Sequence, residues 1–199
     1  HCGINDNIGF AGLAQIKKDA LARTPNVALV DAGDAIQGAP IGKLSRGLAV
    51  VDIMNYLGYD FCIPGNHEFD YGMDRFKELV PLQRAGYYCA NFVYAGNNKQ
   101  VLPGYKIMQY EDTKVAFVGA STPESLTTST PTFFQNEKGK YIYSFCEDKT
   151  GNKLYKQLQK NVDKARKDGA DYVFIVGHLG MDGTTPQWSS ESVAQNTQG

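Results

Sequence analysis

Short apolar runs alternate along this chain with stretches in which apolar side chains recur every three or four positions, the first pattern fitting buried strands and the second amphipathic helices. Ile8 to Arg23 sets Phe10, Leu13, Ala14, Leu21 and the stem of Lys17 on one helical face, and Pro25 ends it. Val27 to Val30 then reads as a strand. Asp34 to Gly38 reads as a loop, Leu48 to Leu57 as a helix stopped by Gly58, and Tyr59 to Pro64 as a second strand. A third helix is predicted from Met73 to Gln83, with Phe76, Leu79 and Val80 inward. Tyr87 to Val93 is a further strand candidate, and Tyr105 to Tyr110 with Lys114 to Gly119 predicts a hairpin around Glu111-Asp112-Thr113. Ser121 to Pro131, rich in serine, threonine and proline, reads as a loop. Leu154, Tyr155, Leu158, Val162 and Ala165 mark an amphipathic helix closed by Gly169, ahead of a strand at Tyr172 to Val176 and a polar tail with no further strand. Strand, helix, strand, helix in this order predicts a layered α/β fold, to which the later hairpin adds antiparallel pairing.

Composition narrows the function without choosing it. At 199 residues, 42% hydrophobic and 21% charged, the chain is long enough for one good core, and its formal net charge of −1 gives no electrostatic case for nucleic acid or an anionic membrane. No apolar run approaches a membrane span, and residues 1–199 include no signal peptide. The start at His1 without a methionine reads as part of something longer. Cys2, Cys62, Cys89 and Cys146 are scattered without a CxxC pair, which permits disulfides and equally fits small packed hydrophobes. Tyr141, Tyr143 and Phe145 fit core and strand surface better than a base-stacking platform.

Candidate chemistry sits where apolar runs end. Val27-Ala28-Leu29-Val30 leads into Asp31-Ala32-Gly33-Asp34, Tyr59 to Pro64 into Gly65-Asn66-His67-Glu68-Phe69-Asp70-Tyr71-Gly72, and Tyr172 to Val176 into Gly177-His178. Ligands of open α/β sheets gather beyond the carboxyl ends of strands, so these ends converge on one expected site. Asp34, Asn66 and His178 offer a carboxylate, an amide oxygen and an imidazole, a set suited to zinc, manganese or iron rather than calcium, with His1 a fourth candidate. A carboxylate such as Asp34 bridges two cations in the usual clamp for in-line attack at phosphorus. His67 is then expected to face substrate, with Asp70 holding its ring. Taken singly, each has a plainer role: Asp34 as a turn residue, His178 as a donor to a backbone carbonyl, His1 as a disordered terminus. Glu68 is expected to serve the loop backbone, and Asp31 to cap or orient.

The runs Gly33-Asp34-Ala35-Ile36-Gln37-Gly38, Gly65 to Gly72 and Gly177-His178-Leu179-Gly180 resemble the catalytic domain of the 5′-nucleotidase family of calcineurin-like metallophosphoesterases, in the family's order from His1 to about His178. The resemblance implies a four-layer core of two mixed sheets flanked by helices, incomplete in this chain, and a secreted, periplasmic or surface-attached hydrolase with two divalent metal ions. By resemblance, Asp34 is the bridging aspartate, Asn66 and His178 are ligands of the second metal, His67 and Asp70 are the catalytic histidine and its partner, and His1 is the histidine of the opening Asp-x-His motif. The family's Gly-His-x-His motif and C-terminal nucleobase domain have no counterpart in residues 1–199. The expectation is therefore a partial catalytic domain that binds metal poorly by itself, taken from an enzyme that hydrolyses nucleoside 5′-monophosphates.

Three other readings stand beside it. A 2′,3′-cyclic-nucleotide 2′-phosphodiesterase with 3′-nucleotidase activity would share this domain. A non-catalytic binding domain would have kept the fold and lost the metal site; in any of these readings, truncation is expected to expose apolar surface that a missing segment or a second copy would cover. A dinucleotide-binding oxidoreductase lacks the GxGxxG it would need.

Overall fold

The computed structural model describes residues 8–181 and 185–198, so the expectations for His1 and Cys2 lie outside the described residues. Helix α1 (Gly9–Leu21) comes first. Its predicted inner face is only half covered: Phe10 packs against the core, Leu21 is exposed, and no residue of the helix is fully buried. Lys17 ties it down instead, reaching the Leu57 carbonyl at 3.2 Å and the Asp60 carboxylate at 3.7 Å.

Strand β1 is shorter than its apolar run, covering Val30–Asp31. One residue earlier the Asp60 carboxylate accepts the Leu29 N–H at 2.8 Å, so a side chain stands where a ladder partner would be. A helix in the stretch left unassigned between the Asp34–Gly38 loop and Leu48, α2 (Pro40–Ser45), opens with proline at its first turn, where the missing N–H costs nothing. Helix α3 (Leu48–Leu57) follows and ends at Gly58, left-handed at φ 66°. Strand β2 (Phe61–Cys62) runs parallel to β1, Val30 beside Phe61 and Asp31 beside Cys62. Helix α4 (Met73–Leu79) stops short of Gln83 because Pro81 supplies no N–H, and the chain tightens into a 3-10 turn at Val80–Leu82.

The predicted strand from Tyr87 to Val93 is mostly irregular. Its N–H groups go to separate segments, Tyr88 to Cys62, Cys89 to Pro103 and Ala90 to Gly119, so it stitches β2 to the next sheet without forming a ladder. Only its end, β3 (Val93–Tyr94), is regular. The hairpin forms as expected from β4 (Tyr105–Tyr110) and β5 (Thr113–Ser121), Tyr110 facing Thr113. Within the expected loop, Ser125–Thr128 makes a single helical turn, α5, where the Thr127 and Thr128 hydroxyls both donate to the Glu124 carbonyl. Strand β6 (Tyr143–Ser144) pairs antiparallel with β3. Helix α6 (Asn152–Lys167) buries all five apolar positions read from its periodicity and packs over β4, β5 and β7. Strand β7 (Tyr172–His178) runs parallel to β5, setting Ser121 beside His178. It is the outer strand of the β4-β5-β7 sheet and leaves Tyr172 and Phe174 exposed. Helix α7 (Ser190–Asn196) closes the described chain.

Cys62, Cys89 and Cys146 are buried and not disulfide-bonded, the packed-hydrophobe reading. Among the described residues no helix is long and apolar enough to cross a membrane. The chain is a mixed α/β fold whose larger core is aromatic. Phe69, fully buried, sits at its centre with ring centroids 4.9 Å from Phe76, 5.2 Å from Phe134, 5.5 Å from Phe92 and 5.7 Å from Phe145. Tyr143 and Phe145 also belong to this core, whereas Tyr141 is exposed. Replacing Phe69 by Ala removes that hub and leaves a cavity, which is expected to cost about 3–5 kcal/mol in urea unfolding.

Candidate active site

Two short loops approach backbone to backbone where the parallel strands end. Gly33, at φ 91°, lies so near the following turn that a Cβ there would stand 2.6 Å from the Gly65 nitrogen, and a Cβ on Gly65 would overlap the Asp34 carboxylate. Asp34 itself is left-handed, at φ 65°, a conformation that costs a non-glycine residue of order 1 kcal/mol or more. The turn turns out to supply the restraint. Fully buried Glu68 accepts the N–H groups of Asp34 at 2.7 Å, Ala35 at 2.8 Å, Ile36 at 3.4 Å and Gly65 at 2.6 Å, the backbone role its sequence position suggested.

Glu68 has a neighbouring acid in Asp31, whose carboxylate accepts the Gly33 N–H at 3.2 Å. Burial first, and the Glu68 charge second, push the Asp31 carboxyl up to about 7. Burial raises Glu68 as well, against the pull of its amide donors. The amide donors around Glu68 favour its charged form, and that charge in turn helps Asp31 hold its proton to higher pH.

From this frame three predicted side chains converge. His67 donates its backbone N–H to Asp34 Oδ1 at 2.9 Å, which turns Oδ2 towards the His178 ring, 3.2 Å from Nε2. Asn66 Oδ1 lies 3.2 Å from the same nitrogen. On its other side the His178 ring meets the Ala32 carbonyl, with Nδ1 at 2.9 Å, so Nδ1 carries hydrogen and the Nε2 lone pair points at two oxygen acceptors. A proton on Nε2 or a cation among them reconciles these three atoms. The His178 pKa accordingly rises, through the hydrogen bond to Asp34 first and against the effect of burial. Burial works against the Asp34 charge too, but the hydrogen bonds from the His178 ring and the His67 amide outweigh it and hold that carboxyl below its ordinary range. The donor set fits a divalent ion. Among the described residues it includes no cluster of three His, Cys, Asp or Glu, because its third donor is an amide.

His67 points elsewhere. It opens the 3-10 turn His67–Phe69, and the three-residue period brings Asp70 onto its face, with Nδ1 2.7 Å from Asp70 Oδ2. Phe69 and Glu68 project inward from the same turn, leaving both members of this pair partly exposed.

Sequence reasoning missed the supports behind the turn. Ser121 Oγ donates to the Pro64 carbonyl, and Ser129 Oγ donates to the Asn66 carbonyl at 2.5 Å. Asn91 fixes Ser121, accepting its N–H at 3.0 Å and donating to its carbonyl at 2.7 Å. A hydroxyl whose partner is a distant main-chain carbonyl leaves no periodicity or spacing that a sequence could show.

Known proteins share this arrangement of chain. A 2′,3′-cyclic-nucleotide 2′-phosphodiesterase/3′-nucleotidase of Haemophilus influenzae is 26% identical over 206 residues, covering 95% of this chain and 30% of that protein. A snake venom 5′-nucleotidase of Naja atra is 31% identical over 179 residues, covering 87% of this chain and 31% of its own. The structure of a 5′-nucleotidase precursor from Thermus thermophilus superposes with a TM-score of 0.70 at 26% identity, over 86% of this chain and 32% of that one. The chain thus spans about 30% of the length of these curated relatives. The family model described as calcineurin-like phosphoesterase matches residues 1–198, and the chain belongs to that family.

Proposed function

We propose that this chain carries part of a dinuclear metal centre, and the catalytic histidine, of a phosphohydrolase that converts nucleoside 5′-monophosphates to nucleoside and phosphate. The observation that carries this reading is the convergence of His178 Nε2, Asp34 Oδ2 and Asn66 Oδ1 beside the His67–Asp70 pair. Calcineurin-like phosphoesterases use divalent metals. Asp34, Asn66 and His178 would hold one ion, with Asp34 shared towards a second, and His1 remains a further donor on the resemblance alone. Zinc, manganese or iron suits these donors, and a bound pair supplies Lewis-acid activation of water and neutralises phosphoryl charge.

The chain's own residues do the rest. Asp70 holds the His67 ring through Nδ1, and Nε2 is the ring nitrogen assigned to the substrate. As a donor there, it stabilises charge on a phosphoryl oxygen and delivers a proton to the departing alkoxide as the bond from phosphorus to the 5′ oxygen breaks. Ala32 sets the tautomer of His178, and Glu68 holds the Asp34 loop at its unfavourable φ. Remaining metal donors and a nucleobase pocket are assigned to protein outside residues 1–199, in keeping with relatives about three times as long. The venom relative supports a secreted or surface location and a role in nucleotide breakdown.

The Haemophilus influenzae relative favours a second substrate reading, a 2′,3′-cyclic nucleotide, and only an enzyme of that kind would open a cyclic phosphate. Phosphate release from AMP and from 2′,3′-cyclic AMP by the full-length protein, with added Mn2+ or Zn2+, separates the two. His67→Ala is expected to lower kcat roughly 100- to 10,000-fold while Mn2+ still binds, and Asn66→Ala to weaken Mn2+ binding itself. A full-length protein that binds metal yet releases no phosphate from any nucleotide or generic phosphoester would leave the non-catalytic reading in its place.

The metal-free site has a pH signature. Asp34 lies below its ordinary 3.8 in the folded protein, so its contribution is present above that value and is lost as pH falls through the depressed folded pKa. His178 lies above 6.5, so its contribution is complete below that value and is lost as pH rises through the elevated folded pKa. Thermal melts of EDTA-treated protein should show the pair's stabilisation fully between about pH 4 and 6.5 and fading on both sides, and Asp34→Asn should flatten both slopes.

The frame is testable apart from the chemistry. Glu68→Gln keeps the shape but turns an amide NH2 towards backbone donors, and is expected to lower unfolding stability by about 3 kcal/mol, with metal affinity falling alongside.

A further inference from the structure

The segment after β5 reaches under the candidate metal site. Helix α5 ends at Ser129, which is buried, and its hydroxyl is presented to the Asn66 carbonyl at 2.5 Å across 63 positions of sequence. That carbonyl already accepts the Phe69 N–H at 3.3 Å within the 3-10 turn. A second donor is therefore not needed to satisfy its polarity, and what it adds is direction. Two positions earlier, Ser121 Oγ holds the Pro64 carbonyl, while the Gly65 N–H between them goes to Glu68. The Pro64–Gly65 peptide is thus held at both ends, its carbonyl by Ser121 and its N–H by Glu68, and the Asn66–His67 peptide likewise by Ser129 and by Asp34, which accepts the His67 N–H.

Resting on the reading that Asn66 ligates a divalent cation, we propose that Ser129 is a positioning residue for the metal site. Its hydroxyl sets the peptide plane from which the Asn66 side chain departs, and so keeps the amide oxygen beside His178 Nε2. Metal sites depend on such outer partners: a ligand that must find its orientation anew on each binding event loses affinity, typically by 10- to 100-fold. The Ser/Thr-rich segment then acts as a built part of the site, although none of its side chains is placed among the metal donors.

Mn2+ binding to the full-length protein, read from the electron paramagnetic resonance signal of free Mn2+, tests this with four variants. Ser129→Ala is expected to weaken binding roughly 10- to 100-fold, with its far-ultraviolet circular dichroism and metal-free melting cooperativity retained. Ser129→Cys, which preserves volume and substitutes a weak donor, should fall in the same direction and serves in its place if the alanine variant does not fold. Ser125→Ala is the control for losing a buried hydroxyl, because Ser125 Oγ is buried in the same segment without a hydrogen-bond partner among the described residues; it should bind Mn2+ unchanged. Wild-type affinity in the Ser129 variants, or an equal loss in Ser125→Ala, overturns the positioning role. Wild-type affinity in Asn66→Ala would instead overturn the metal-ligand reading on which it rests.

Discussion

A single buried carboxylate decides whether this site exists. Taking an ionised group out of water costs several kcal/mol unless hydrogen bonds replace the lost hydration. Glu68 recovers that cost from the main-chain N–H groups of Asp34, Ala35, Ile36 and Gly65, which belong to loops following two different strands. The energy that makes the burial tolerable is the same energy that joins the loops. Neither β1 nor β2 is long enough to specify the approach by its own ladder, with paired residues only at Val30–Phe61 and Asp31–Cys62. The loop geometry therefore depends on the clamp more than on the sheet.

The turn that carries Glu68 divides its labour by direction. Phe69 roots it among the rings of Phe76, Phe92, Phe134 and Phe145, and Glu68 faces the loop backbone. His67 and Asp70 meet on the outward side, and Asn66 turns towards His178. Packing, electrostatics and chemistry are thus met by consecutive residues because a 3-10 turn sends each in a different direction. The acids around it are sorted in the same way: burial and the Glu68 charge raise the Asp31 pKa, whereas at Asp34 the hydrogen bonds from the His178 imidazole and the His67 amide outweigh burial and lower it.

Much of this was legible in the residues, and the exceptions are informative. Helices α3 and α6 were readable because apolar periodicity and a following glycine agreed, at Gly58 and Gly169. The convergence of Asp34, Asn66 and His178 was readable because each follows an apolar run, and the distances among them bear out the meeting, while their roles as metal ligands remain part of the proposal. The strand from Val27 was overestimated because the Asp60 side chain replaces a ladder bond, and the segment after Tyr87 because its N–H groups are dealt out to different neighbours. Helices α2 and α5 were missed because each is too short to show a period. The place of Ser129 was invisible, since its partner is a carbonyl that any residue would have supplied at position 66.

The contact between Gly33 and Gly65 bears on how the chain tolerates change. A side chain at either position would drive into backbone or into the Asp34 carboxylate, and Gly33 has in addition a φ that side chains avoid. A saturation-mutagenesis map would therefore score these glycines as severely as Asp34 or His178, although they donate nothing to a metal or a substrate. The intolerant footprint would come out larger than the chemical one, and its outline would trace where two loops touch as much as where a phosphoester would be cleaved.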